Sequence, residues 1–193
     1  MAKTLRTQKE KSDSARRSKR KGKRGEKNAA ILVSLWWTGE EGNFVSTPGS
    51  GALRWKKGVA KVVADLVPIE SDQFPEFPYS IEVKNREKWD LESTFKGNQI
   101  FWGWWQQACD DGIRASKAPM LLFTKNYSPC YIALDWSEIK YYQIPGNMMK
   151  ITDPEKPRTC MIMLATEFFN LNIPKHIKKK DPLRELLERF KND

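Results

Sequence analysis

Histidine is almost absent from this chain of 193 residues: the only one, His176, lies in a lysine-rich stretch between Pro174 and Lys180. This scarcity excludes a zinc site built on histidines and a Ser-His-Asp triad. If the chain hydrolyses a substrate, we expect it to use carboxylates, lysine and a metal-activated water.

Cysteine and long apolar runs are also scarce. The three cysteines, Cys109, Cys130 and Cys160, are odd in number and have no C-x-x-C spacing, which favours buried reduced thiols over a disulfide framework or a zinc knuckle. No run approaches the roughly 18 apolar residues of a membrane span, and the N-terminus lacks the apolar part of a secretion signal. We therefore expect a soluble cytoplasmic protein that does not use a membrane.

Positive charge is abundant and concentrated at the N-terminus. Residues 1–27 hold twelve Lys or Arg residues against three acids, so this segment carries most of the net charge of +10. Residues 1–24 have few apolar side chains, which predicts a disordered basic tail. Such a tail is expected to bind nucleic acid, to act as a nuclear localisation signal or only to keep the protein soluble. The candidate DNA contacts in it are Arg16, Arg17, Lys19 and Arg20.

Apolar residues at helical spacing predict a helix from about Glu26 to Trp37. Glu26 lies at one end of its buried stripe, where an acid also suits the helix dipole. A glycine-rich loop at residues 47–52 comes later, followed by Arg54, Lys56 and Lys57. The small residues of this loop would allow a phosphate to approach these cations, and a plain hairpin connection explains the pattern equally well.

Two apolar segments, residues 62–67 and 79–84, read as neighbouring strands. In the second, Glu82 and Lys84 point to one face and alternate with apolar residues, while Asp65 ends the first. Two carboxylates and an amine on one sheet rim could hold a divalent cation and a phosphate. The alternative is a structural ion pair between Asp65 and Lys84.

A second Glu-x-Lys triplet, Glu138-Ile139-Lys140, serves as an internal comparison. It follows Asp135-Trp136-Ser137, a turn or helix start, and has no acid-bearing apolar strand just before it. We interpret it as a chance surface pattern. Strand context and Asp65 distinguish the triplet that contains Glu82.

Residues 99–109 predict a mostly buried helix that ends near Gly112 and carries Gln106 and Gln107. One of these glutamines is expected to face the acidic pair, and we take Gln106 as the site residue. The apolar run at residues 119–124 reads as a buried parallel strand. The order of elements predicts an α/β fold with a central mixed sheet flanked by helices.

The sequence resembles the PD-(D/E)XK nuclease superfamily in an ordered set of features. They are Glu26, the Pro-Gly-Ser-Gly loop, Asp65, the Ile-Glu-Val-Lys strand and the Trp-Gln-Gln-Ala helix. Within it, the set is similar to archaeal-type Holliday junction resolvases and small phage nucleases. The resemblance implies a restriction-endonuclease-like core at about residues 26–134 in a nuclease domain of residues 25–193, with residues 135–193 as a C-terminal extension. Ala64 stands where the superfamily name has proline.

The resemblance also implies roles for particular residues. Asp65, Glu82 and the backbone carbonyl of Val83 would coordinate Mg²⁺, with Mn²⁺ as an alternative, and Lys84 would orient water or stabilise the charge on the phosphorus centre. Glu26 would complete the acidic cluster, a place for which Glu40 and Glu41 compete. Ser50 matches a loop serine that contacts the scissile strand.

The sequence therefore predicts a Mg²⁺-dependent DNA endonuclease that resolves branched DNA as a homodimer in a bacterial or phage-infected cell. The alternatives are a restriction-type or nicking nuclease that acts on linear duplex, and a non-catalytic basic DNA-binding protein. Cleavage that depends on a divalent metal distinguishes the enzymes from the binding protein.

Overall fold

A seven-stranded sheet with helices on both faces forms the centre of the computed structural model, which describes residues 8–47, 64–69, 72–97 and 99–177. The strands of these residues are β1 Phe44–Ser46, β2 Leu66–Pro68, β3 Tyr79–Asn85, β4 Ala118–Thr124, β5 Tyr131–Asp135, β6 Met149–Thr152 and β7 Thr159–Leu164. The helices are α1 Gln8–Thr38, α2 Leu91–Phe95, α3 Gln99–Ala115 and α4 Ala165–Leu171, with a 3₁₀ helix at Trp136–Tyr141.

The strand order is β1-β2-β3-β4-β5-β7-β6, and β3 and β4 are the parallel pair among antiparallel neighbours. A parallel connection needs a crossover, and α2 and α3 supply it between β3 and β4. This arrangement confirms the predicted mixed sheet flanked by helices. It also confirms that the segments containing Asp65 and Glu82 are neighbours, since Leu66 pairs with Ile81 in antiparallel β2 and β3.

Strand β4 has apolar side chains on both faces, so it lies between two cores. Met120 and Leu122 belong to the core under α1 and α4, whereas Leu121 and Phe123 belong to the core under α3. This alternation follows from the two-residue repeat of a strand. The continuous apolar run is therefore the buried parallel strand that the sequence predicts.

Helix α1 is longer than predicted and changes the interpretation of the basic tail. The expected disordered tail of residues 1–24 is helical from Gln8 onward, and α1 passes through residue 24 without interruption. Lys, Arg, Gln, Glu and Ala dominate this segment and have high helix propensity, and the packed part of α1 provides the nucleus from which the helix extends. Residues 1–7 lie outside the described residues.

Several smaller predictions are also resolved. Trp102 and Trp105 are core residues, each 1% exposed, whereas Trp104 is half-buried. The three cysteines form no disulfide, and burial raises the pKa of Cys109 to about 11 and that of Cys130 to about 12. The polar segment between β3 and α3 includes the short helix α2. None of the helices in the described segments is both long and apolar enough to cross a membrane.

Candidate active site

The C-terminal half of β3 carries the residues that the sequence singles out. Ile81 and Val83 pack on the side of α1, and Glu82 and Lys84 lie on the opposite face, as predicted. Glu82 is only 1% exposed, and the Lys84 ammonium donates to its Oε1 atom. A charge buried to this degree is costly unless it is paired, so this contact compensates part of the cost.

Asp65 lies immediately before β2, alongside Glu82 and Val83. Its Oδ2 atom accepts a hydrogen bond of 3.0 Å from the backbone N–H of Val83, and its own N–H donates to the Ile81 carbonyl at 2.9 Å. Asp65 is 8% exposed, so the contacts with β3 fix the position of a nearly buried carboxylate. The two carboxylates are brought to the same place on the sheet.

Helix α1 brings Glu26 to this cluster through a close contact at the preceding residue. Gly25 packs so closely on β3 that a Cβ atom there would lie 2.7 Å from Cβ of Asn85, and the Asn85 side-chain amide donates to the Lys21 carbonyl at 3.3 Å. Burial raises the pKa of Glu26 and the charge of Asp65 raises it further, whereas Lys23 and Lys84 oppose the shift. Glu26 is therefore within electrostatic range of both Asp65 and Lys84.

The competing acids Glu40 and Glu41 have a different environment. Both are exposed and follow the C-terminal end of α1, more than three helical turns beyond Glu26. Glu26, rather than either of these residues, is therefore the acid of α1 within electrostatic range of Asp65.

The glutamine that faces Glu82 and Lys84 is Gln107, and not Gln106 as expected. Gln107 donates from its amide to Oε1 of Glu82 and accepts a 3.1 Å hydrogen bond from Lys84. Gln106 instead donates to Asp110 at 2.7 Å and accepts from Arg158. Adjacent helical residues differ by about 100° in direction, so only one of the two can face β3.

The comparison triplet Glu138-Ile139-Lys140 lies in the 3₁₀ helix after β5. Asp135 caps this helix by accepting from the Ser137 N–H at 2.8 Å, which confirms the helix start that the sequence indicates. Lys140 is exposed and contacts the ring of Tyr141. The same residue types thus occupy quite different surroundings in the two triplets.

The chain matches the model of a family described as "Phage putative PDDEXK endonuclease" over residues 17–180, which is more than half of its length. The chain belongs to this family. It is therefore a member of the PD-(D/E)XK nuclease superfamily, and its mixed sheet with flanking helices agrees with a restriction-endonuclease-like fold. Comparisons with curated proteins and with solved structures gave no significant match.

The family name describes an acid followed later by an acid-x-lysine triplet. Asp65, which lies just before β2, and Glu82-Val83-Lys84 in the neighbouring strand β3 fit this pattern. Gln107 is the residue that the sequence interpretation missed. Its signal was present, because the Trp-Gln-Gln-Ala segment has two polar residues in a buried helix, but the pattern did not decide between them.

The donor atoms at this place suit a hard divalent cation. Within the described ranges, no group of three or more His, Cys, Asp or Glu residues is arranged to hold a metal ion. Mg²⁺, however, is usually held by one or two carboxylates together with water and substrate phosphates. Asp65 and Glu82 fit that mode, and the effect of Asp65 on the pKa of Glu26 shows a repulsion between carboxylates that a cation would relieve.

The predicted DNA-contacting residues divide into two groups. Ser50, Arg54, Lys56 and Lys57 lie outside the described residues. The exposed surface of α1 carries Arg16, Arg17, Lys19 and Arg20. The basic face of α1 continues beyond Arg20 as Lys23, Arg24 and Lys27, which line a groove of about 580 Å³ together with residues of β1.

Proposed function

We propose that this protein hydrolyses DNA phosphodiester bonds with a divalent metal, at the cluster of Asp65, Glu82 and Lys84. One observation carries the proposal: two nearly buried carboxylates and an ammonium group meet at neighbouring strands, with a third carboxylate, Glu26, in electrostatic range. A sheet that needed only stability would gain little from burying these charges, because apolar residues of similar size often stabilise as well or better.

Mg²⁺ is the proposed ion, with Mn²⁺ as an alternative. Asp65, Glu82 and the backbone carbonyl of Val83 would hold it, with Glu26 as a further acidic partner. A bound divalent ion lowers the pKa of water and neutralises charge on the phosphate. In this proposal, part of the charge compensation that Lys84 provides for Glu82 would come from the ion.

The proposed role of Lys84 is to orient the attacking water or to stabilise charge on the phosphate, since its ammonium group lies at the edge of the cluster. Its contacts with Glu82 and Gln107 limit the directions in which the ammonium can point. An ammonium held in this way can orient a water molecule or stabilise negative charge that develops on the phosphate. Gln107 acts as a positioning residue because it contacts both Glu82 and Lys84.

The basic face of α1 is the proposed contact for the DNA backbone. Cations recur at i, i+3, i+4 and i+7 spacing and form one stripe, which consists of Arg16, Lys19, Arg20, Lys23, Arg24 and Lys27. At 1.5 Å per residue, the stripe is about 17 Å long. It ends next to Glu26, so a backbone bound along it would be led toward the acidic cluster.

The form of the DNA substrate and the state of assembly follow from the resemblance alone. The proposed substrate is branched DNA, and the proposed assembly state is a homodimer. The proposed location is the cytoplasm of a phage-infected cell. A restriction-type or nicking nuclease would share the same cluster and differ in where it cuts. Cleavage mapping on four-way junctions, nicked duplexes and linear duplexes distinguishes these substrates, and light scattering gives the assembly state.

Single alanine variants test the proposed chemistry. Asp65→Ala, Glu82→Ala and Lys84→Ala are each expected to abolish Mg²⁺-dependent cleavage and to leave DNA affinity in EDTA largely unchanged. Glu138→Ala and Lys140→Ala are the matched controls from the second triplet and should cut at the parental rate. If the three site variants cut a four-way junction as fast as the parent, the proposed site is wrong. If neither the parent nor any variant cuts DNA with Mg²⁺ or Mn²⁺, and the parent binds DNA in EDTA, the non-catalytic DNA-binding protein replaces the nuclease.

A further inference from the structure

A second cleft lies directly beyond the end of β3, between α1 and the first turns of α3. Its volume is about 390 Å³, within the range of pockets that bind small organic groups. The lining residues are Ser18, Lys21, Asn85, Arg86, Glu87, Lys88, Ile100 and Trp104. None of them is used by the acidic cluster, yet Asn85 directly follows Lys84.

One wall of the cleft is apolar and open to solvent. Ile100 is 41% exposed, and Trp104 is half-buried, although α3 otherwise presents tryptophans such as Trp102 to the core. Trp104 stands edge-to-face on the buried Trp89, with ring centroids 6.4 Å apart. Because this contact with Trp89 limits the movement of the Trp104 ring, Trp104 offers a fixed aromatic platform on which a planar group can stack.

The other wall is basic. Lys21 comes from α1, and Arg86 and Lys88 come from the segment after β3. The pKa of Lys21 is lowered, first by burial and then by the charges of Arg24 and Arg86, so these cations are close enough to repel one another. Glu87 is the acid in the cleft and forms an ion pair with Lys21.

An apolar aromatic platform beside cations is the combination that binds single-stranded nucleic acid, because the ring stacks on a base and the cations attract phosphates. Arg86 follows Lys84 by two residues, about 7 Å along an extended chain. That length is at most about two nucleotide steps, since 3.4 Å per step is the spacing of a paired and stacked strand and an unpaired strand is more extended. The cleft thus lies where the strand would continue past the proposed cleavage site.

We propose that this cleft binds an unpaired nucleotide of the DNA strand next to the cleaved bond, with its base on Trp104 and Ile100 and its phosphate near Arg86 and Lys88. The proposal rests on the proposed function for the position of the cleaved bond. It makes the substrate a DNA with unpaired nucleotides at the cut, such as a branch point or a flap. A fully paired linear duplex would leave the cleft empty.

The platform is tested by binding in EDTA, where no cleavage occurs. The probes are a five-nucleotide oligothymidylate and a blunt duplex, and affinities are measured by fluorescence anisotropy. Trp104→Ala should weaken oligothymidylate binding by about 5- to 100-fold and change duplex binding little, while Trp104→Phe retains most of the affinity. Tyr127→Ala removes a fully exposed aromatic side chain in a turn and should change neither. Equal loss for both probes, or parental affinity of Trp104→Ala, overturns the proposal.

A gain of affinity provides an independent test that loss of folding cannot imitate. Glu87→Gln removes the acid that pairs with Lys21 and keeps a side-chain oxygen for the Asn126 N–H, which Glu87 contacts at 3.3 Å. Oligothymidylate affinity should rise by about two- to five-fold because the cleft that holds Arg86 and Lys88 loses its negative charge and attracts phosphate more strongly. Glu92→Gln is the control, since it breaks the exposed pair with Lys96 and makes the same change of charge. Equal affinities of the two variants contradict the proposal.

The two proposals can fail separately. Cleavage that needs Asp65 and Glu82 but does not depend on Trp104 would leave the nuclease proposal intact and overturn the cleft. Conversely, oligothymidylate binding that depends on Trp104 in a protein without metal-dependent cleavage would support the cleft as a binding site and overturn the proposed function.

Discussion

The side-chain oxygen of Gln107 accepts a 3.1 Å hydrogen bond from Lys84, and the amide of the same residue donates to the Glu82 carboxylate that Lys84 contacts. Truncation of Gln107 removes both contacts and allows Lys84 to change direction. Gln107→Ala is expected to lower kcat about 10- to 100-fold with little change in KM, as for other residues that orient metal ligands. Steady-state cleavage kinetics and DNA affinity in EDTA are the measurements. Gln106→Ala is the control, and a larger loss of kcat there would contradict the assignment.

Glu26 gives a prediction about pH. Its pKa is raised in the folded protein, so the folded form holds the proton more tightly than the unfolded form, whose pKa is near 4.5. Ionisation therefore lowers stability as pH rises through the window between the unfolded and folded pKa values, and nothing is lost below both. Glu26→Gln removes this loss, so its Tm without metal should match the parent at about pH 4 and exceed it at about pH 7.

Thermal unfolding monitored by circular dichroism at the two pH values provides the measurement for Glu26. Glu41→Gln is the matched control because it removes an exposed acid beyond the end of α1. Mg²⁺ should also raise the Tm of the parent more than that of Glu26→Gln. The same Tm difference at both pH values would show that ionisation of Glu26 is not its cause.

Two glycines of α1 make a paired test of helix packing. Nothing lies within 4 Å of a Cβ atom placed at Gly22, whereas a Cβ atom at Gly25 would lie 2.7 Å from Asn85 Cβ. Gly22→Ala should therefore stabilise the protein by about 0.5–1 kcal/mol through helix propensity. Gly25→Ala should destabilise it by about 1–2 kcal/mol, because overpacking exceeds that gain, and should slow cleavage by moving Glu26 away from Asp65.

Urea unfolding measures both glycine effects on one scale. Stabilisation by Gly25→Ala equal to that of Gly22→Ala would mean that α1 does not approach β3 as closely as described. Loss of stability without loss of cleavage would separate the packing of α1 from the placement of Glu26.

The basic stripe predicts a change in salt dependence. Replacing Arg16, Lys19 and Arg20 with Gln should weaken duplex binding and reduce the slope of log K against log salt by up to about 2.7, or about 0.9 per phosphate contact. Cleavage at low salt should persist. Fluorescence anisotropy at several salt concentrations is the measurement. The control replaces three exposed cations outside α1, namely Lys140, Lys156 and Lys175, and an equal change of slope there would point to non-specific attraction.

Substitution is a sharper test of the stripe than deletion of residues 1–24. That deletion is expected to weaken binding and flatten its salt dependence, but it also removes the Lys21 carbonyl that accepts from Asn85. The effects of charge and of packing would then be mixed. Gln has high helix propensity, so the substituted helix should remain folded.

Much of the centre of the molecule could be predicted from the sequence because burial leaves a periodic pattern. The alternation of Ile81, Glu82, Val83 and Lys84 predicted the two faces of β3, and the structure has them. The apolar run of β4 similarly predicted a strand buried on both sides. Such patterns depend on the burial of one segment, so the sequence of that segment alone predicts which of its faces are buried.

The misses concern features that a local pattern does not record. Gln106 and Gln107 are adjacent polar residues in a helix that is apolar nearly all round, so only tertiary packing decides which one faces Glu82. The start of α1 at Gln8 was missed because the absence of apolar residues removes the burial signal but does not lower helix propensity. The apolar spacing of Leu183, Leu186, Leu187 and Phe190 also predicts a helix at residues 182–191, which lies outside the described residues.

The crossover between β3 and β4 determines when during folding the acidic cluster can form. The cluster and its neighbour come from segments that are far apart along the chain. The acids Glu26, Asp65 and Glu82, with Gln107 beside them, meet only after β2, β3 and α3 have packed. Contacts between distant segments carry a large loop-closure entropy and form slowly, whereas a helix such as α1 forms locally within microseconds. The cluster therefore forms late in folding, whereas the positive charge of the α1 segment is present in the unfolded chain and needs no packing.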